Sequence, residues 1–350
     1  MRYSISQYLL LGVFTFILVG ALTPLMRSIA IRNGVYDSPN MARKVHKEPV
    51  PYLGGIAIAL GILTVSYAAL LYSDFTLQTL GIASSVLLPA LAIGVMGLVD
   101  DIRGLEPWPR LVFQSLAAVV VAIILISTHT IGTPLNNMLL DTLVTIFWVV
   151  GVCNSINFFD NLDGGASGTV AVITLFLFFI AFDRQQFLVS ALAIVTAGAT
   201  AGFLLWNRAP AKIYMGDAGA LFLGIIVSVL TIRLDPELVQ RSQSLAIPLL
   251  LMALPILDTT VAVGSRIYRG ISPFQGGRDH LSHRLIRFGI KGRTVAFILW
   301  LAAVCFGLFA LAIYHWPEKY AYQLMGIAAL AWISLLIFFF RIPSSDKSDH

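Results

Sequence analysis

DTLVTIFWVVGVCNSINFFDNLDGGASGTVAVITLFLFFIAF, residues 141–182, consists of two apolar runs joined by a polar hinge. Each run approaches the roughly 20 apolar residues that a bilayer-spanning helix requires. The hinge, NSINFFDNLDGG at 154–165, holds Asn154, Asn157, Asp160, Asp163 and two glycines, with no basic residue to neutralise the acids. Water cannot satisfy a polar backbone inside lipid, so runs of this length and composition are read as helices. The hinge then lies at a membrane surface.

Moving outward from this stretch, the same alternation fills the chain. Of its 350 residues 58% are hydrophobic and only 12% are charged, about half the charged share of a soluble globular chain. Eleven candidate spans fall near 5–26, 53–72, 77–98, 111–128, 139–156, 166–182, 187–206, 218–232, 244–264, 294–314 and 321–340. The expected fold is all-α: a polytopic membrane bundle of about 11 helices forming one transmembrane catalytic domain over 1–340, with a short cytoplasmic tail at 341–350. The first run is not expected to be a cleaved signal, because its basic cluster follows the apolar segment. Cys153 and Cys305 both fall in or beside apolar runs and read as small packing residues without metal spacing.

Charge gives the topology. With the N-terminus outside and the C-terminus in the cytoplasm, eighteen of the 23 Lys and Arg residues lie on the inner side, as the bias of short loops requires. The net charge of +5 is then largely an inner-face property, suited to an anionic leaflet and anionic substrates. Five polar motifs land on that same side: DSPNMARKVHKEPVPYLGG, VDDIRGLEPWPR, NSINFFDNLDGG, WNRAPAKIYMGDAG and SRIYRGISPFQGGRDHLSHRLIRFG.

These motifs bring carboxylates together. Asp100, Asp101, Asp160, Asp163 and Asp217 sit at or near helix ends, and Asp258 slightly inside span nine. Gathered acids repel unless a cation lies among them. Carboxylate and amide oxygens without thiolates suit a hard ion, Mg²⁺ with Mn²⁺ as a substitute, held by one or two carboxylates and by substrate phosphates. Arg43, Lys44, His46, Arg110, Lys212, Arg278, His280, His283 and Arg284 supply charge for a diphosphate. No nucleotide-hydrolysis loop of the G-x-x-x-x-G-K-[ST] type is present. From the residues alone the reading is a Mg²⁺-dependent membrane enzyme acting on a diphosphate at the cytosolic face.

DSPNMARKVHKEPVPYLGG, GLVDDIRGL, NSINFFDNLDGGASG, AKIYMGDAGALFLG, and PILDTT with SRIYRGISPFQGGRDHLSHRL, in this order over roughly residues 30–290, resemble the polyprenyl-phosphate N-acetylhexosamine-1-phosphate transferases of glycosyltransferase family 4. The resemblance implies transfer of a sugar-1-phosphate, GlcNAc-1-phosphate foremost, from a UDP-N-acetylhexosamine to undecaprenyl phosphate. The products are the lipid-diphosphate sugar and UMP, which begin an O-antigen, common-antigen or teichoic-acid polymer at a bacterial inner membrane. It also implies roles. Asp217 and Asn157 hold the metal. Asp100 is base or electrostatic partner for the lipid phosphate, supported by Asp101. Asp160, Asp163, Asn207, Lys212 and Tyr214 line the nucleotide pocket, and Arg278, His280 and His283 meet the diphosphate or sugar. Arg43, Lys44, His46 and Arg110 form a basic rim for the lipid phosphate. Two departures stand out: Arg110 where many relatives carry Lys, and Ser282 where they often have a His.

Other readings compete. The peptidoglycan translocase branch is disfavoured by DHLSHRL, which lacks a three-histidine run. A secondary transporter places its charges near the midplane, often within inverted repeats; here the acids crowd one face. Partners are the UDP-sugar, the polyprenyl phosphate and the anionic bilayer, with a second copy of the chain as a further candidate and no nucleic acid. Asp258 reads either as functional or as a structural carboxylate paired with a neighbour such as Arg266.

Overall fold

The computed structural model of the chain describes residues 4–37, 49–72, 76–274 and 276–343. In chain order the helices are α1 (Ile5–Arg32), α2 (Gly54–Leu71), α3 (Leu77–Arg103), α4 (Pro107–Ser127), α5 (Met138–Phe159), α6 (Gly165–Asp183), α7 (Phe187–Asn207), α8 (Gly216–Arg233), α9 (Arg241–Leu251), α10 (Ala253–Tyr268), α11 (Leu281–Arg287), α12 (Gly292–His315) and α13 (Glu318–Arg341). A two-residue antiparallel pair, β1 (Tyr36–Asp37) with β2 (Val50–Pro51), accompanies them. Among the described residues ten helices are long and apolar enough to span a bilayer. The protein is a polytopic helical membrane protein.

The eleventh span departs from expectation. In place of one run over 244–264, α9 and α10 meet at an angle of 68°. Pro255 has no N–H to give the carbonyl of Leu251, so the helical ladder breaks at Met252. The helix ends also run further than the apolar patterns suggested. α3 continues through Asp100 and Asp101, and α5 through Asn157, so these polar residues are helical. The short α11 was not expected. It lies within the Arg-rich stretch that follows α10.

α8 forms the axis of the bundle. Its span is 78% buried, against 11% for α13, and it packs against α2, α3 and α5. Close packing in lipid relies on small residues that let backbones approach. Where α1 crosses α7, Gly198 faces Gly12, and a Cβ on Gly198 would fall 2.2 Å from the Gly12 carbonyl oxygen. Large apolar side chains on the outer helices, such as Phe147, Leu116 and Leu330, stay exposed, as they do when the neighbour is lipid.

Backbone does not yield as a flexible side chain does, so Gly198→Val must separate α1 from α7. The expected cost is about 1–3 kcal/mol, the usual range for overpacking, read as a lowered Tm in detergent. An unchanged Tm would contradict this crossing.

Candidate active site

The site begins where α3 ends against the start of α8. A helix N-terminus leaves its first N–H groups without partners. The residue preceding α8, Met215, has no side-chain oxygen to offer them. Asp101 supplies it from α3, its carboxylate accepting the N–H of Asp217 (2.9 Å) and of Ala218 (3.0 Å). Negative charge also suits the positive end of the helix dipole. Gly216 makes the approach feasible: its φ is +68°, and a Cβ there would fall 2.5 Å from Asp101 Oδ2. The Asp101 carbonyl in turn accepts the Tyr52 hydroxyl at 2.7 Å.

Capped in this way, α8 aims Asp217 at its neighbours. Arg110 Nη1 donates to Asp217 Oδ2 at 2.8 Å and to Asp100 Oδ2 at 3.0 Å. Asn157 Nδ2 donates to Asp217 Oδ1 at 2.8 Å. Asp100, 8% exposed, accepts the N–H of Leu105 at 2.6 Å through its other oxygen. Asp217 keeps 30% of its side chain open. One nitrogen thus serves two carboxylates, which places Arg110 within the acid cluster as well as at its rim.

Asp160 follows α5 directly. Burial, and then the carboxylates of Asp217, Asp101 and Asp163, push its pKa up to about 8. Such a cluster needs positive charge beyond Arg110. Among the described residues no three His, Cys, Asp or Glu side chains converge on a metal position. A closed zinc cage is therefore not offered. An open Asp217–Asn157 corner fits Mg²⁺, which keeps several waters and shares substrate phosphates.

The remaining residues divide. Asn207 is 1% exposed; its oxygen accepts the Gly164 N–H (3.1 Å) and the Ser167 hydroxyl (2.8 Å), and its amide donates to the Ile213 carbonyl (3.1 Å). It is a strut joining the α6 N-terminus to the α7–α8 loop. Asp163 Oδ2 accepts the Ala211 N–H at 2.9 Å and steadies the same loop. Lys212 is exposed, with Nζ 5.3 Å from the Trp206 ring centre. Tyr214 is half-buried and its backbone bonds to Pro51 and Gly54, which joins β2 and the start of α2 to the site. Arg43, Lys44 and His46 lie outside the described residues.

Past α10 the structure adds residues that sequence reasoning did not combine. Asp258 does not pair with Arg266. Its Oδ2 meets His280 Nδ1 at 2.7 Å, and its Oδ1 accepts the Leu281 N–H at 2.8 Å. Arg266 pairs with Asp279 at 3.0 Å, because the chain returns over α10 and carries Asp279 to the guanidinium. Arg278 and His283 are half-buried on the same stretch. Burial is the main cause that pushes His283 down to about 4, with His280 adding to it. A cavity of about 480 Å³ runs beside Arg110 between α4, α5 and α10, lined by Leu111, Leu143, Phe147, Phe158 and Val263 among others. The Phe-rich runs elsewhere gave no sign of it.

Residues 83–235 match the family described as glycosyl transferase family 4. This interval spans Asp100, Asp101, Arg110, Asn157, Asp160, Asp163, Asn207 and Asp217. Over this interval the chain is similar to glycosyl transferase family 4. The chain is also similar to a probable undecaprenyl-phosphate N-acetylglucosaminyl 1-phosphate transferase of Bacillus subtilis, 28% identical over 92% of this chain and 85% of the relative. It is similar to a decaprenyl-phosphate N-acetylglucosaminephosphotransferase of Mycolicibacterium smegmatis, 29% identical over 94% and 87%. A phospho-N-acetylmuramoyl-pentapeptide-transferase of Streptococcus mutans is 27% identical over 89% and 99%.

Asp101→Ala strips two N–H groups of their acceptor and should cost about 1–2 kcal/mol, the upper range for a lost cap. Asp101→Asn keeps a capping oxygen and should lose less than half of that. Thermal unfolding in detergent distinguishes the two, and equal losses would contradict the capping role.

Proposed function

We propose that the chain transfers an N-acetylhexosamine-1-phosphate, GlcNAc-1-phosphate foremost, from a UDP-sugar to undecaprenyl phosphate. A lipid phosphate oxygen attacks the sugar-bearing phosphorus of the UDP-sugar. A new P–O–P bond forms, the old one breaks, and UMP leaves. The phosphate arrives already largely ionised, so Asp100 acts by position and charge more than by taking a proton. The observation that carries the reading is Arg110, shared between Asp100 and Asp217 at the edge of the apolar cavity. That cavity suits the first isoprene units, and it ends beside the charge that a lipid phosphate needs.

Mg²⁺ bound at Asp217 and Asn157 would neutralise charge on the diphosphate and on departing UMP. Asp160 and Asp163 border the nucleotide side, with Tyr214 and Lys212 on the facing loop, and Arg278 and His283 approach the diphosphate sugar. The bias of Lys and Arg supports an N-terminus outside and a site on the cytoplasmic face of a bacterial inner membrane. The names of the relatives favour GlcNAc. The likeness to the Streptococcus mutans protein carries the second reading, a muramoyl-pentapeptide substrate.

Membranes holding the protein, given sugar-labelled UDP-GlcNAc, undecaprenyl phosphate and Mg²⁺, should yield labelled lipid and UMP. A chelator should abolish this and Mn²⁺ partly restore it. Asp217→Asn should lower turnover at least ~100-fold, the scale of losing a transition-state charge partner. Turnover only with the muramoyl-pentapeptide nucleotide would select the second reading. Full activity of Asp217→Asn would overturn the assignment.

Because a single nitrogen of Arg110 reaches both carboxylates, a lysine ammonium can take its place. Arg110→Lys should stay within about tenfold of the native rate, and Arg110→Met should fall about 100-fold or more. The same UMP assay measures both, and equal losses would contradict the shared-nitrogen role.

A further inference from the structure

The stretch from Arg266 to Arg284 is anchored by a buried set of charges. Asp258 is 1% exposed, Arg266 2%, Asp279 2%, His280 6% and Arg284 1%. A buried ion network is stable only when every member has partners, and here the partners can be followed around. Arg266 donates through Nε to Asp279 (3.0 Å) and through Nη1 to the Pro273 carbonyl (2.9 Å). Its Nη2 lies 3.3 Å from His280 Nε2. Arg269 takes the other oxygen of Asp279. Arg284 donates to the Asp279 carbonyl and to carbonyls of Phe339 and Ile342 at the end of α13.

His280 is the joint. Its Nδ1 faces a carboxylate, which only accepts, and its Nε2 faces a guanidinium, which only donates. A single ring hydrogen on Nδ1 satisfies both. A second one on Nε2 would oppose the Arg266 N–H. Both ring nitrogens are therefore engaged, and the ring packs edge-on to Phe158 at 5.9 Å between centroids. Phe158 follows Asn157 on α5. The next contact toward the site comes from Ser282, whose hydroxyl donates to Asn161 Oδ1. His283 differs: it is half-buried, and its Nδ1 has no hydrogen-bond partner among the described residues.

We propose that Asp258 and His280 are a positioning pair, which locks the 276–283 segment against the end of α5 and presents His283 and Arg278 to the substrate, while His280 itself does not touch the substrate. Asp258 fixes both the ring and the Leu281 amide, so it sets the entry of α11. Ser282 makes the second attachment. This rests on the transferase reading above, with UDP-sugar as the ligand presented. It also gives a physical account of a serine at position 282: the hydroxyl is short enough to be buried, at 2% exposure, against Asn161.

The test uses the full chain in detergent and three variants. His280→Asn places an amide N–H near the Nδ1 position and can keep the bond to Asp258; His280→Leu cannot. His280→Leu should raise the KM for UDP-GlcNAc about tenfold or more with kcat changed less than threefold, the signature of misplaced binding groups. His280→Asn should stay within about threefold of native in both constants. Ser282→Ala, a milder change that keeps the charge network, should raise KM alone, by several-fold. A kcat collapse in His280→Asn equal to that in His280→Leu would put His280 on the substrate and overturn the proposal, as would native KM in both His280→Leu and Ser282→Ala.

Hydrogen exchange at the Leu281 amide supplies a reading independent of turnover. It should accelerate at least tenfold in His280→Leu and remain native-like in His280→Asn, with α8 protected in both. If the native protein turns over no UDP-sugar, the transferase reading fails while this exchange result still decides the pair. Unaltered protection in His280→Leu overturns it.

Discussion

The carboxylate of Asp101 on the first N–H groups of α8 is the interaction on which the site depends. An uncapped helix end is costly where its N–H groups face the packed end of a neighbouring helix, and Met215 has no side-chain oxygen to offer them. The cap comes from another helix, so satisfying α8 also fastens the end of α3 to it. Asp217 is the residue whose own N–H is capped, and the same contact sets where its carboxylate points. The adjacent acids at 100 and 101 therefore divide their work. One is fixed to backbone, the other stands beside Arg110.

That division explains how like charges share a small volume. Asp101 is compensated by a helix end, Asp100 and Asp217 by one guanidinium, and Asp163 by a loop amide. Asp160 has no comparable partner among the described residues, and burial, followed by the carboxylates of Asp217, Asp101 and Asp163, raises its pKa. An incoming divalent cation and diphosphate would complete a balance that the protein leaves open on the exposed side of Asp217.

Much of this was legible in the sequence because lipid imposes strong rules. Apolar runs of bilayer length gave the helices, and the gathering of the DD, NFFDNLDGG and MGDAG motifs at one end of the bundle agrees with the charge pattern. Contacts between distant residues were less legible. Arg110 meets Asp217 107 positions away, and nothing in either local pattern couples them. Asp258 could be read either as functional or as paired with a neighbour such as Arg266 on its own helix, and the returning segment instead delivers His280 from 22 residues on. The resemblance put Asn207 near the nucleotide; its burial among Gly164, Ser167 and Ile213 depends on the packing of α6 against α7. The bend at Met252 had its signal in Pro255, which the hydropathy of span nine concealed.

The central claim is that the ends of α3, α5 and α8 enclose one cation-bridged diphosphate. Anomalous diffraction from crystals grown with UDP-GlcNAc and Mn²⁺ tests it most directly. The account predicts a manganese peak at roughly 2.0–2.2 Å from a carboxylate oxygen of Asp217, the bond length of a hard octahedral ion, with diphosphate density between it and Arg110. A well-occupied nucleotide and metal bound elsewhere, with Asp217 and Arg110 untouched, would contradict it.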